Sequence, residues 1–560
     1  MTVLFFVVVG CAADRAPGKT PAASSPVAAT VAPKGESEAM MAAENALRQG
    51  DCRGASENFL AAAVASSDPG VAARAAQLAV GCDQLPSARA AAQRWLQLEP
   101  FSGDAALTAA LVALKRYDLT EARKALVVWR DSGSAGSQDP LRFAELLAQE
   151  TEPTAVYRVF REVLVGDDPT SDVLLAEARL ALAAQNMRVA REAASRALKL
   201  DSDLTEARVI ELRAQSVQGE HDAAVAGARS LQGSLAGEDL FLLADLLTAA
   251  ERTADARREL EMLAAAPATR VAAERRLIAL DLHEGDFEAA EKRLAPLLGD
   301  RSTTALALLI TAQIAEQRGD DTRAMQSYRL LLDSSLALTA RSAAARLLIK
   351  HDEAESAIAL LDDYAAQNPE SRVEVGATKS QLLAQAGDLP AALKTLNDLE
   401  VQYPGHPDIE YQRATVLETG GKTREALAQF ERALKARPDD PQLSNALGFT
   451  LADHGQKLER AESLVRHAIE ISPDNPAIQD TLGWVMFRRG KVKESLPVLQ
   501  RAWRNSGDGE IAAHYGEALW KSGDEGQARY VWQQALNINP AHEGLQATMA
   551  RLTGEGAGKR

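Results

Sequence analysis

A small residue recurs every 32 to 35 positions along almost the whole chain: Ala55, Ala88, Ala122, Ala155, Ala190, Ala224, Ala256, Ala290, Ala324, Ala357, Ala392, Ala426, Ala461, Ser495 and Ala528. Four residues after most of them stands a larger apolar residue: Phe59, Leu126, Leu260, Leu294, Tyr328, Leu361, Leu396, Phe430, Leu499 and Trp532. A period of about 34 residues holds two short helices and a turn, a unit too small to bury its own apolar face, so it must stack on its neighbours. The pattern predicts an all-α solenoid of about 15 helical hairpins.

The last full unit shows the physics most plainly. It reads as a helix from Glu510 to Leu519, a turn at Lys521-Ser522-Gly523-Asp524, and a second helix from Glu525 to Asn537, closed by Pro540. Gly516 and Ala528 fall where the two helices cross, and neither position has room for a long side chain. Gly523 supplies a positive φ to end the first helix. Pro540 cannot continue the second.

These residues resemble the tetratricopeptide repeat (TPR) family, whose signature runs bulky, Leu, Gly, bulky, Gly, Ala, aromatic, Ala, Pro. One unit carries Leu447, Gly448, Leu451, Gly455, Ala461, Ala468 and Pro473, with one extra residue in its turn. The next carries Leu482, Gly483, Met486, Gly490, Ser495, Leu499 and Ala502; the last carries Tyr515, Gly516, Leu519, Gly523, Ala528, Trp532, Ala535 and Pro540. A fourth, with Gly421, Ala426, Phe430, Ala433 and Pro438, matches in its second half. Residues 405–542 are expected to be well-matched repeats, and 38–404 degenerate ones resting on period and on Gly/Ala/Pro positions such as Gly319, Gly387, Pro100, Pro369 and Pro404. Pro296 falls inside a second helix and is expected to bend it. The resemblance implies a right-handed superhelix, with residues 543–560 as a helix end and flexible tail.

The chain has no run of 18 or more apolar residues, so no helix is expected to span a membrane. Its start is nevertheless distinctive. An apolar run from Val3 to Val9 leads into Gly10-Cys11, and residues 12–37 are rich in Ala, Pro, Ser and Thr. Residues 1–11 resemble a bacterial lipoprotein signal in which Cys11 becomes the lipidated residue, with residues 12–37 as a flexible tether. Val8 and the lack of a preceding Lys or Arg depart from that signal, and the short core is what a start recorded inside the leader would leave. The other reading is a buried N-terminal segment with an incidental cysteine. Ala12 after the cysteine resembles lipoproteins sent to the outer membrane, facing the periplasm. Without a signal, the chain would be cytoplasmic.

Cys52 and Cys82 remain, 30 apart, in the turns of the first two units. Equivalent turns of adjacent repeats lie side by side, so the pair is expected either to form a disulfide or to be two buried thiols.

Chemistry finds little support. None of the eight histidines sits in an HExxH motif, no phosphate-cradling GxxxxGK[ST] is present, and no CxxC or zinc spacing occurs. The chain is read as a non-enzyme without a cofactor or metal. A net charge of −16 is opposite to what nucleic-acid binders carry. The TPR resemblance implies instead a concave groove lined by the first helix of each unit: Tyr411, Asn445, Phe449, Asp480, Trp484, Phe487, Arg488, Glu517, Trp520 and Lys521. Trp484, Trp503, Trp520 and Trp532 are four of the chain's six tryptophans, and aromatics and Arg anchor many interfaces. Trp532 reads as core; Trp484 and Trp520 read as groove contacts or as packing between repeats.

Lipidated cysteine, tether and long Ala-rich array together resemble the lipoprotein adaptors of periplasmic C-terminal-processing proteases. That resemblance implies a scaffold that brings such a protease to substrates, notably cell-wall hydrolases, by raising their effective concentration. The alternative is a structural part of an envelope machine for polysaccharide export, pilus assembly or outer-membrane protein assembly.

Overall fold

The computed structural model describes residues 35–132, 152–539 and 542–554, and five positions between 140 and 147. Cys11 and all but the end of the tether lie outside the described residues, as does the tail from 555. Among the described residues there are 30 α-helices and no strand. They form an all-α solenoid of hairpins, from Glu36–Arg48 paired with Cys52–Ala65 to Gly509–Ser522 paired with Glu525–Ile538, followed by a closing helix at Glu543–Thr553.

Each of the fifteen periodic small residues lies two or three positions into the second helix of its hairpin, and each is at most 1% exposed. The turn geometry explains this constancy. The residue two positions before nearly every second helix has a left-handed backbone: Gly50, Gly219, Gly285, Gly319, Gly387, Gly421, Gly490 and Gly523, but also Asp83, Tyr117, Gln185, Glu251 and Asp352. Asp51, Asp118, Asn186, Asp286, Asp320, Asp388 and Asp524 then cap the helix by accepting the backbone N–H three residues on. The extra residue in the 455–458 turn is absorbed by a second left-handed residue, Lys457, after Gly455. Pro296 sits near the end of its helix, Phe287–Leu298, which continues past it.

The core is a string rather than a single centre. A continuous apolar cluster runs from Ala39 to Ile210, smaller ones follow repeat by repeat, and larger ones return at Ala414–Met486 and Leu499–Leu545. Ion pairs about one repeat apart bridge neighbours: Arg257–Glu284 at 2.8 Å, Arg318–Glu291 at 3.1 Å and Arg346–Glu316 at 3.0 Å. Exposed pairs of this kind contribute about 0–1 kcal/mol each.

Superhelical twist brings distant repeats together. The hairpin turns of the first repeats meet the loops that end later ones. Arg53 donates to the carbonyl of Val401, and Gln84 to that of Gln402 at 3.0 Å. His406 Nε2 lies 2.8 Å from Asp83. Arg158 reaches Asp439 at 3.4 Å. Asp474 accepts the N–H of Met187 at 2.8 Å and donates its own N–H to the carbonyl of Gln185 at 3.0 Å. Further on, the Arg270–His283 helix touches Glu525–Ile538. These pairs advance in the same order along both segments, so the second turn of the coil rests on the first. Cys52 and Cys82 are joined by a disulfide, with Cα atoms 5.5 Å apart.

Candidate functional site

The aromatic face of the last four hairpins is built from their first helices, Pro407–Thr419, Pro441–Asp453, Pro476–Arg488 and Gly509–Ser522. Each starts sharply. His406, Asp440, Asn475 and Asp508 cap them with side-chain acceptors, and three have proline in the first turn, where no N–H partner is needed. Their rotation is set by Gly448, Gly483 and Gly516, where an added β-carbon would collide with Val465, Leu499 and Trp532 of the second helices. With the glycines turned to the second helix, Phe449 and Trp484, one residue on, turn toward the repeats that follow.

There they meet His514. The Trp484 indole stacks on the imidazole with centroids 4.2 Å apart, and on Phe487 at 5.2 Å. Phe449 approaches His514 at 6.0 Å, and the Arg488 guanidinium stands 5.4 Å from the centre of Trp484. Tyr411 packs edge-on against Phe430 at 5.9 Å. His514 Nδ1 is bonded to Asp480 at 2.8 Å. Burial opposes charge on this imidazole, but the Asp480 carboxylate, its hydrogen bond and the nearby Glu510 prevail and raise its pKa. Desolvation raises the carboxyls of Glu418 and Glu510 in turn, reinforced by Asp453 and Glu510 around the first and by Asp480 and Asp508 around the second. The face therefore combines aromatic surface with crowded carboxylates.

The ten residues expected to line a groove do not all do so. Tyr411, Asn445, Phe449, Phe487 and Arg488 are partly exposed along this face, and Lys521 is exposed. Asp480, Trp484 and Glu517 are buried, which corrects their reading as open contacts: Asp480 is held by His514, Trp484 is covered by His514 and Phe487, and Glu517 pairs with Arg551 at 3.2 Å. Trp520 is partly exposed and also packs. It lies one turn after Gly516 on the same side of its helix, so it stacks on Trp532 at 5.7 Å, with Arg529 at 5.3 Å over its ring.

The pattern reading missed His514 and Arg551. Their signal was the period itself, because Asp480–His514 and Glu517–Arg551 are each 34 residues apart, one repeat length. Among the described residues no group of three or more His, Cys, Asp or Glu is placed to hold a metal ion, and no helix is long and apolar enough to cross a membrane.

A family model described as tetratricopeptide repeat matches residues 381–540, and a second with the same description matches 280–337. A TPR repeat-containing protein of Pseudomonas aeruginosa is 26% identical over 246 residues, 43% of this chain. That match spans 41% of the relative's own length. Among solved structures, yeast Tom70 is 12% identical over 74% of this chain and 94% of its own, with a TM-score of 0.39. The Cut9–Hcn1 hetero-tetramer matches at 14% over 92% of this chain and 96% of its own, with a TM-score of 0.31. The models thus match tetratricopeptide repeats at residues 280–337 and 381–540, in accord with the period and the packed hairpins seen there.

Proposed function

We propose that this protein is a non-enzymatic scaffold that captures protein segments on the inner face of its C-terminal repeats, and that it does so as a lipid-anchored adaptor in the bacterial envelope. The observation that carries the binding reading is the Phe449–Trp484–Phe487–Arg488–His514 cluster. Its buried members, Trp484 and His514, hold Phe449, Phe487 and Arg488 in place while leaving them partly open, which is how a preorganised interface is made. The repeats themselves support protein binding in general, since this family typically holds partner proteins.

The finer reading adds three parts. Cys11 carries the lipid anchor, residues 12–37 tether the array, and the partners are a periplasmic C-terminal-processing protease and the cell-wall hydrolases it cleaves. A scaffold that holds both raises their local concentration without any chemistry of its own. A disulfide between Cys52 and Cys82 accords with an oxidising compartment.

Crosslinked affinity capture from cells, with the full-length chain as bait and Phe487→Ala/Arg488→Ala as control, tests this. The expected result is a protease together with hydrolases, lost in the control. Recovery of export, pilus or outer-membrane assembly components would replace the adaptor by a machine part. Cytoplasmic partners alone would remove the anchor.

A further inference from the structure

We propose that the Cys52–Cys82 disulfide braces an intramolecular latch that holds the second superhelical turn on the first, so that the thiol–disulfide state of this one pair sets whether the coil is closed or open. The inference is independent of which partner the inner face takes.

The disulfide sits at the contact between the two turns. Cys52 opens the second helix of the first hairpin, and Cys82 ends the first helix of the second. The residues that grip the later turn are their immediate neighbours. Arg53 follows Cys52 and donates to the carbonyl of Val401. Asp83 and Gln84 follow Cys82; Gln84 donates to the carbonyl of Gln402 at 3.0 Å, and Asp83 meets His406 at 2.8 Å. Two turns from different repeats thus hold one six-residue segment at three points.

His406 makes the grip specific. Its Nδ1 accepts the N–H of Asp408 at 3.2 Å as the cap of the Pro407–Thr419 helix. That role fixes the tautomer: Nε2 carries the proton and donates it to the Asp83 carboxylate. One imidazole therefore couples the start of a helix in the second turn to a hairpin of the first. His406, Gln84 and Cys82 are all buried here.

Simultaneous engagement at three points requires the two hairpin turns to keep a fixed spacing. Hairpins in a solenoid otherwise shift against each other, because each contacts only its neighbours. The disulfide removes that freedom at the point where the latch needs it. The later contacts, Arg158–Asp439 and Asp474–Met187, have no covalent brace, so once the bond is reduced no covalent hold stands behind the seam at any of these contacts. A dithiol reductant accounts for the chemistry. Its two thiols give two electrons and two protons, the S–S bond breaks to two cysteine thiols, and the reductant closes to its own disulfide.

Hydrogen exchange and small-angle scattering on the full-length chain test the latch, with dithiothreitol as the reductant and Cys52→Ser/Cys82→Ser as the bond-free variant. The expected result is exchange at residues 399–407 faster by on the order of tenfold when the bond is absent, with a longer maximum dimension and no change at residues 304–317. Unchanged protection at 399–407 together with an unchanged dimension would overturn the proposal and leave the bond as a staple of the first repeats.

If loss of the bond also melts residues 36–98, His406→Asn decides. Asparagine keeps the helix cap but removes the bond to Asp83. With one of the three grips already gone in this variant, reduction should speed exchange at 399–407 by less than in the wild type. An equal effect of reduction in His406→Asn and in the wild type would show that the bond acts without the latch, and the proposal fails.

Discussion

His514 and Asp480 are one repeat apart, both buried, and joined by a 2.8 Å hydrogen bond under the stacked ring of Trp484. The pair couples two hairpins through a charge. Because the pKa of His514 is raised above its ordinary 6.5, the folded state holds the proton more tightly than the unfolded chain. Its contribution to stability is complete below pH 6.5 and is lost as pH rises through the folded value. Glu510, also raised, adds a slope of the same sign from its ordinary 4.5 upward. The melting midpoint followed by tryptophan fluorescence should therefore fall as pH rises above about 6.5. His514→Gln should flatten the upper part of that profile, and an equal slope in the variant would assign it to other groups.

Gly516 faces the indole of Trp532, and even one methyl there has no free space. Gly516→Ala should destabilise the last hairpin by about 1–3 kcal/mol through overpacking. In a solenoid this loss is local, so urea should unfold the tryptophan-rich end earlier while leaving most of the helical signal in place. A single coincident transition at the wild-type midpoint would mean the ring swings aside at no cost.

Trp484 is 6% exposed and touches both His514 and Phe487, which separates it from its open neighbours. Trp484→Ala should cost about 3–5 kcal/mol, whereas Lys521→Ala should stay within about 0.5 kcal/mol. Denaturant midpoints read this directly. A Trp484→Ala protein as stable as the wild type would return that side chain to the open groove.

The repeat itself was legible because it rests on sterics that recur. A small residue at each helix crossing and a glycine in most turns leave a mark every 34 residues or so, and all fifteen marks are buried. The degenerate turns were harder to read because Asp83, Tyr117, Gln185, Glu251 and Asp352 take the left-handed backbone where glycine would have announced it. Trp520 stayed ambiguous for a different reason. An indole on a first helix reads equally well as anchor or as filler, and only the helix rotation set by Gly516 decides. The seam between superhelical turns had no local sign at all. Asp83 and His406 are 323 residues apart, and they meet through small rotations summed over many hairpins.

Glu462 is the densest ionic junction of the C-terminal repeats. Its carboxylate takes Arg466 of its own helix at 2.6 Å, Lys491 of the next turn at 3.1 Å, and Arg489. Burial opposes its ionisation, but hydrogen bonds from Arg466, Lys491 and Arg489 outweigh it and bring its pKa down to about 2. A lowered carboxyl contributes stability that is present above its ordinary 4.5 and lost as pH falls toward 2. Glu462→Gln removes that contribution and leaves three cations facing an amide. The arginines and lysine keep some access to water, so the cost should be about 1–3 kcal/mol, below that of stranding a fully buried charge. The variant should melt earlier at neutral pH and converge with the wild type in acid. A constant gap between the two across the acid range would mean that the loss comes from shape rather than charge.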